Sequence, residues 1–367
     1  MNPQILIEYI KANGLDALSN NKKTDVKRHK SYPNLVMLKY KQIEADFNDE
    51  IVRICRGIIL DESNDWQVVN YTYSKFMNYS EGSAAKIDWD NARVYEKLDG
   101  SLCQLYYYDN KWQVATSGTP DASGQVGDFK FTFAELFWKT WNELKYKLPI
   151  DTNYCYALEL MTPFNKVIVP HKECKLVLHG GRNLKTMKEL NPVVEAHLNG
   201  WKCVETFSLT SLDAVLEMAK TLDPLKQEGF VVCDWNYNRV KLKTEQYVNL
   251  AHLRDSVGAS LRQMLEVVRK NEGSEFLVYF PEMTKTYYDL KIKYEHLLGQ
   301  VEGFYDAIKH IDDRKIFASY ATTQPFSGLL FGIKYGKISS FKQGLADMNV
   351  RSLESLMGME SKNEPNV

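Results

Sequence analysis

Residues 93–108 read RVYEKLDGSLCQLYYY. β-Branched and aromatic residues flank Asp99-Gly100, so the stretch reads as strand, tight turn and strand, a hairpin. Working outward, short runs of the same kind recur between turn residues up to about residue 250: VRICRGIIL, KWQVATSG, NYCYALELM, KVIVP, KLVLHGG, EGFVVCDW and NRVKLKT. Helical patterns interrupt them. ILIEYIKANGL, FTFAELFWKTWNEL and SLDAVLEMAKTL each place apolar residues three and four apart. Strands and helices do not alternate regularly, which argues against a parallel, doubly wound sheet. The expected class is α+β with mainly antiparallel sheets.

The character changes near residues 246–252. VNLAHLRDSVGASLRQMLEVVRKN, MTKTYYDLKIKYEHLLGQVEGFYDAIKHI and SSFKQGLADMN read as helices, and strand signals nearly vanish. Two domains are therefore expected, 1–248 and an all-helical 249–367, which suits a chain of 367 residues. A hydrophobic fraction of 44% with 25% charged residues fits an ordinary globular protein and excludes collagenous or disordered classes. The start, MNPQILIEYIKANG, lacks the form of a signal peptide, and no uncharged apolar stretch suits a membrane helix. The expectation is an intracellular protein: cytoplasmic, nuclear or organellar in a eukaryote, host cytoplasm if viral. No membrane and no obligate protein partner is evident. A net charge of -1 argues against non-specific coating of duplexes but leaves room for a local cationic groove. Residues 22–30, KKTDVKRHK, read as a solvated basic loop. Six scattered cysteines form no C-x-x-C pair and seven histidines no H-E-x-x-H, so no zinc site is expected.

Chemistry can rest on a few residues. Lys97-x-Asp99-Gly100 is weak alone and needs partners. Glu159 lies in NYCYALELM, where Tyr154, Tyr156, Leu158 and Leu160 share one strand face and Cys155, Ala157, Glu159 and Met161 the other. A carboxylate on an apolar face needs a cation, a metal or hydrogen-bond donors, unless it reaches water at a strand end. Glu228 precedes a buried-looking strand, and Gly229 beside it permits close approach. Lys241 and Lys243 share one face of VKLKT. They suit either phosphate binding or a solvated strand face. Arg56, between Cys55 and Gly57, calls for an anionic partner or snorkels to water. Lys75 stands beside Phe76 and Asn78. No phosphate-binding G-x-x-x-x-G-K-[ST] loop, dinucleotide fingerprint or G-x-S-x-G elbow is present.

In order, CRG, KFMN, EKLDGS, ALEL followed by NKVIV, EGFVV and VKLK resemble the nucleotidyltransferase superfamily of polynucleotide ligases and capping enzymes. The set is most similar to the phage-type RNA ligase 1 family, over about residues 30–250. The resemblance implies an antiparallel nucleotidyltransferase domain that transfers AMP from ATP with Mg2+ or Mn2+. Lys97 would be the nucleophile, with Lys241, Lys243 and Glu228 as further catalytic residues. Glu96, Arg56, Lys75, Glu159 and Val231 would complete the nucleotide pocket, Val231 as an apolar platform for adenine. Glu159 would hold the ribose or a metal-bound water, and Glu228 the metal hydrate. The partner would be RNA with 3′-hydroxyl and 5′-phosphate ends. One position departs from the family: Ser117 precedes Gly118 where a basic residue is usual, so that loop lacks the family's cation.

The chemistry is coherent. A free lysine has a pKa near ~10.4, and cationic neighbours such as Lys241 and Lys243 are expected to disfavour its charged form. An mRNA guanylyltransferase or a DNA ligase would use the same lysine, but both usually carry an OB-type barrel where this sequence turns helical. An inactive RNA-binding relative is the remaining alternative.

Overall fold

A computed structural model of the chain describes residues 1–165, 167–248, 260–279 and 283–359. It divides into two compact units, Met1–Lys41 with Ala45–Leu250, and Gln42–Glu44 with Ala251–Val367. Most of the expected boundary segment, from residue 249 to 252, lies outside the described residues, as does the start of the helix read there and the polar tail from residue 360.

The first unit holds three sheets. The first contains β1 (Thr24–Arg28), β2 (Leu35–Tyr40), β3 (Arg56–Asp61) and β4 (Gln67–Asn70), antiparallel and in that order. One face packs on α1 (Gln4–Lys22) and α2 (Glu50–Ile54), burying Leu6, Ile10 and Ile54 against Val36, Leu38 and Ile58. Two expectations change here. KKTDVKRHK is not a loop, because its centre is edge strand β1, where charged side chains discourage pairing with another chain. The VRI of VRICRGIIL is helical, because the Asp49 carboxylate caps the N–H of Ile51 and starts α2.

The run containing the expected hairpin splits between the other two sheets. β6 (Arg93–Lys97) joins a sheet ordered β12 (Thr206–Phe207), β6, β13 (Gly229–Cys233), β14 (Arg239–Lys243) and β5 (Met77–Asn78). β7 (Ser101–Tyr108) joins one ordered β11 (Lys202–Cys203), β10 (Lys175–Asn183), β9 (Tyr154–Met161), β7 and β8 (Lys111–Thr116). The Asp99-Gly100 turn is thus a crossover between sheets. The true hairpin is β7–β8, closed by Asp109 and Asn110 with φ of 50° and 58°. The described part of KVIVP, Val167 to Pro170, forms no strand; the backbone N–H groups of Ile168 and Val169 are taken by the Asp99 carboxylate instead.

The β7–β9 sheet buries Leu105, Leu158 and Leu176 against Phe137 and Trp141 of α3 (Phe133–Glu143) and Ala196 of α4 (Pro192–Asn199). Its other face meets the first sheet through Tyr106, Ala115 and Cys155. α3 begins with a reciprocal Thr132–Glu135 capping box. The β6–β13 sheet packs Val94, Phe230, Val232, Val240 and Leu242 on Val215 of α5 (Leu212–Thr221). Pairing is antiparallel except for β10–β11 and β14–β5, as the sequence leads one to expect.

The second unit has no strand among its described residues. Its helices are α6 (Ser260–Arg269), α7 (Gly273–Tyr279), α8 (Thr284–Ile308), α9 (Arg314–Ala321), α10 (Ser327–Lys334), α11 (Phe341–Asp347) and α12 (Val350–Leu356). Met264, Leu265 and Val268 of α6 share a core with Leu290, Tyr294 and Leu297 of α8.

Candidate active site

Strand register gathers the candidate lysines. Gly229 of β13 stands between Lys97 of β6 and Lys243 of β14, Val231 between Tyr95 and Lys241, and Cys233 between Arg93 and Arg239. With a side-chain period of two, these residues face one way while Val94, Phe230, Val240 and Leu242 fill the core behind. The front face borders a cavity of about 900 Å3, also lined by Arg56, Lys75, Glu96 and Glu159. All the sequence-predicted residues border this cavity except Glu228, which touches Lys97, and Lys243, which touches Glu228.

Lys97 Nζ lies 2.6 Å from Glu228 Oε2, and Lys243 Nζ lies 3.6 Å from Glu228 Oε1. One buried carboxylate therefore offsets two ammonium groups, which would otherwise repel in a poorly solvated site. Gly229 is obligatory beside Glu228, since a Cβ would collide with the Leu242 carbonyl and stand 2.8 Å from Lys243 Cα. Gly100 is equally constrained: a Cβ would stand 2.6 Å from the Leu160 carbonyl and 2.8 Å from Met161 Cγ. This close approach brings the lysine turn against β9 beside Glu159. Asp99 anchors the turn. Its buried carboxylate accepts from the N–H groups of Ile168 and Val169 at 2.9 and 2.5 Å and from Tyr247 Oη at 2.9 Å. Asp99 and Gly100 thus hold the Lys97 turn in place, Gly100 at the cavity wall and Asp99 buried behind it.

Arg56 opens β3, and its guanidinium lies over the rings of Phe76 at 5.2 Å and Tyr73 at 6.0 Å. The Lys75 ammonium lies 4.2 Å from the Phe47 ring centre and 4.9 Å from that of Tyr40. Aromatic faces hold both cations without neutralising them. Arg56 Nη1 is buried and has no hydrogen-bond partner among the described residues. An orphaned cationic donor bordering a cavity points to an anionic ligand. Glu96 borders the cavity, but its register aligns it with Phe230 and Leu242 on the back of the sheet. Burial, then the nearby Glu205, pushes its carboxyl above the ordinary range. Ser117 follows β8, with its Cα packed beside Gly57.

Several site residues escaped the sequence reading. Arg239 sits on the same face as Lys241, two residues earlier, and the period of VKLK extended backward would have found it. It is gripped by Glu189 at 2.7 Å and packs on Tyr73, whose ring centre is 4.5 Å away. Burial works against the charge of Arg239, but Glu189 outweighs it and raises the pKa further. Glu189 also binds Arg182 at 2.9 Å, a partnership with no local signal. His179 lies at a register shift between Leu178 and Gly180, a bulge that re-aims its side chain toward Glu159. Its Nε2 is 3.4 Å from Glu159 Oε2 yet has no hydrogen-bond partner among the described residues, and Tyr73 Oη donates to its backbone carbonyl at 2.8 Å.

The RNA ligase family model matches residues 54–247, a span that holds every candidate from Arg56 to Lys243. The chain belongs to the phage-type RNA ligase 1 family. Within it, an RNA ligase of Rhodothermus phage RM378 is 26% identical over 76% of this chain and 77% of that protein. A protein of Autographa californica nuclear polyhedrosis virus, named as a bifunctional polynucleotide kinase/RNA ligase, is 27% identical over 74% of this chain but only 41% of its own length. Among solved structures, an archaeal ATP-dependent RNA ligase aligns over 86% of this chain and 85% of its own, at 12% identity and a TM-score of 0.47. No helix among the described residues is long and apolar enough to cross a membrane.

Proposed function

We propose that the chain is an ATP-dependent RNA ligase, joining a 3′-hydroxyl to a 5′-phosphate through a lysyl–AMP on Lys97. The observation that carries this reading is the cationic cavity face, with Lys97 at its edge and a buried, unpartnered Arg56 nitrogen beside it. The Lys97 amine attacks the α-phosphorus of ATP; a P–N bond forms, the α–β bridging P–O bond breaks and pyrophosphate leaves. The ammonium must first shed a proton, and Glu228 at 2.6 Å stands ready to hold it. Lys241, Lys243, Arg56 and Lys75 offset the charge that develops on the phosphates. An oxygen of the RNA 5′-phosphate then displaces Lys97 from the AMP phosphorus. Finally the 3′-hydroxyl attacks the 5′-phosphate and releases AMP. Val231 offers a flat apolar patch to adenine.

A divalent metal fits this donor set in one form. Among the described residues no three carboxylate, imidazole or thiol groups converge as a cage. Magnesium, which keeps several waters and leans on substrate phosphates, needs only one or two carboxylates. Glu159 is the available one, since Glu228 is engaged by two lysines. Bound there, the metal would screen phosphate charge as pyrophosphate leaves.

Incubating the purified protein with ATP and magnesium should add one AMP by intact mass, and Lys97→Ala should add none. An adduct persisting in Lys97→Ala, or nicked duplex DNA sealed faster than RNA ends, would overturn the reading. The helical unit is the proposed substrate-choice element. A chain ending near residue 250 should form lysyl–AMP but join RNA poorly; equal joining of the same RNAs would remove that role.

A further inference from the structure

The turn joining β13 to β14 is pinned, yet it holds a tryptophan out in solvent. Asp234 Oδ1 accepts from the N–H groups of Asn236 and Asn238 at 2.8 and 3.0 Å, and Oδ2 from the Asp88 N–H at 3.1 Å and the Asn238 amide at 3.0 Å. Tyr237 adds a bond from its hydroxyl to the Glu189 carbonyl at 3.0 Å. In the middle, Trp235 is 76% exposed. It packs on no other ring among the described residues, so it serves no core. Holding so large an apolar face in water on an ordered turn makes sense as a preformed contact surface.

Its surroundings say what it contacts. Trp235 borders the same cavity as Lys97. Arg93 and Lys188 also border it, both exposed and neither in an ion pair among the described residues. Two carboxylates next to the turn are already engaged, Glu189 on Arg182 and Arg239 and Asp234 inside its turn. A flat aromatic beside unneutralised cations matches single-stranded nucleic acid, where bases stack and phosphates pair with cations. The position is set apart from the Lys97 end of the cavity, where AMP transfer would take place. Gly229, opposite Lys97, and Cys233 are about 13 Å apart at the usual strand rise, and Trp235 lies beyond Cys233.

We infer that Trp235 is a stacking platform for one nucleobase of the single-stranded RNA substrate, with Arg93 and Lys188 on the flanking phosphates. This rests on the RNA ligase reading and deepens it. Stacking on one aromatic contributes about 1–3 kcal/mol, or roughly 5- to 150-fold in affinity.

The test uses full-length protein, Trp235→Ala and Trp235→Phe. Binding of a 5′-phosphorylated single-stranded RNA is measured by fluorescence anisotropy, with one abasic site scanned along the strand, beside lysyl–AMP formation. Trp235→Ala should weaken RNA binding at least fivefold, with lysyl–AMP formation and ATP half-saturation unchanged, while Trp235→Phe keeps most of the affinity. One abasic position should weaken wild-type binding by a similar factor and leave Trp235→Ala indifferent. Unchanged RNA affinity in Trp235→Ala overturns the proposal. So does a loss equal at every abasic position, which would make Trp235 structural or a contact for a protein. A raised ATP half-saturation would assign the ring to the nucleotide and also overturn it. If wild type formed no lysyl–AMP, the ligase reading would fall, while a base-dependent Trp235 effect on RNA binding would still uphold the platform.

Discussion

Val240-Lys241-Leu242-Lys243 and Leu290-Lys291-Ile292-Lys293 are nearly the same tetrapeptide, and the molecule uses them in opposite ways. On β14 the period of two buries Val240 and Leu242 at 2% and 1% exposure and turns both lysines to the cavity face. On α8 residues two apart diverge by about 200° around the axis. Leu290 is buried at 4%, Ile292 is 64% exposed, and Lys291 pairs with Glu295 one turn on, at 3.8 Å. Lysine spacing therefore carries no function by itself. The backbone period decides whether two ammonium groups converge, and convergence must be compensated. The strand face has buried Glu228 for its lysines and Glu189 for Arg239; the helix has a long surface pair and solvent.

That contrast can be broken most severely at the compensating carboxylates. Glu189→Gln leaves Arg182 and Arg239 buried without a counter-charge, which should cost about 3–5 kcal/mol. A denaturant titration should show an earlier midpoint for the first unit, and an unshifted midpoint would mean these arginines reach water. Next comes the strand lysine itself. Lys241→Ala should slow single-turnover adenylylation on the order of 10²-fold or more with an unchanged thermal melt. Lys241→Arg should restore little, since a planar guanidinium does not replace a compact ammonium. Near-normal rates in Lys241→Ala would reduce β14 to a solvated face like that of α8. The smallest effect is expected on the helix. Lys293→Ala should change stability by roughly 0.5 kcal/mol or less and leave adenylylation untouched. A rate loss there comparable to that of Lys241→Ala would erase the distinction.

The strand and helix units and most of the site were legible because their signals are local. K-x-D-G, the glycine after Glu228 and the paired lysines each sit within a few residues. What stayed hidden depended on distant partners. Glu189 and Arg239 are 50 residues apart, and neither sequence neighbourhood mentions the other. KVIVP has the composition of a strand, yet Asp99 captures the N–H groups a ladder would need. VRIC has it too, yet one capping aspartate settles a short helix. His179 owes its direction to a bulge that alternation cannot reveal.

The crossover at Asp99-Gly100 bears on how this chain can be altered. Lys97 ends a strand of one sheet and Ser101 begins a strand of another, so the residues between them form a bridge of fixed span. Asp99 is tied at both carboxylate oxygens and Gly100 already touches β9. An inserted residue has nowhere to go without parting the sheets. The β7–β8 turn at Asp109-Asn110 closes strands of a single sheet, and lengthening it costs only loop entropy, about 0.6 kcal/mol per doubling. A reporter peptide or a split point belongs at 109–110, whereas the spacing from Lys97 to Ser101 is a gauge block, its length dictated by the gap it fills.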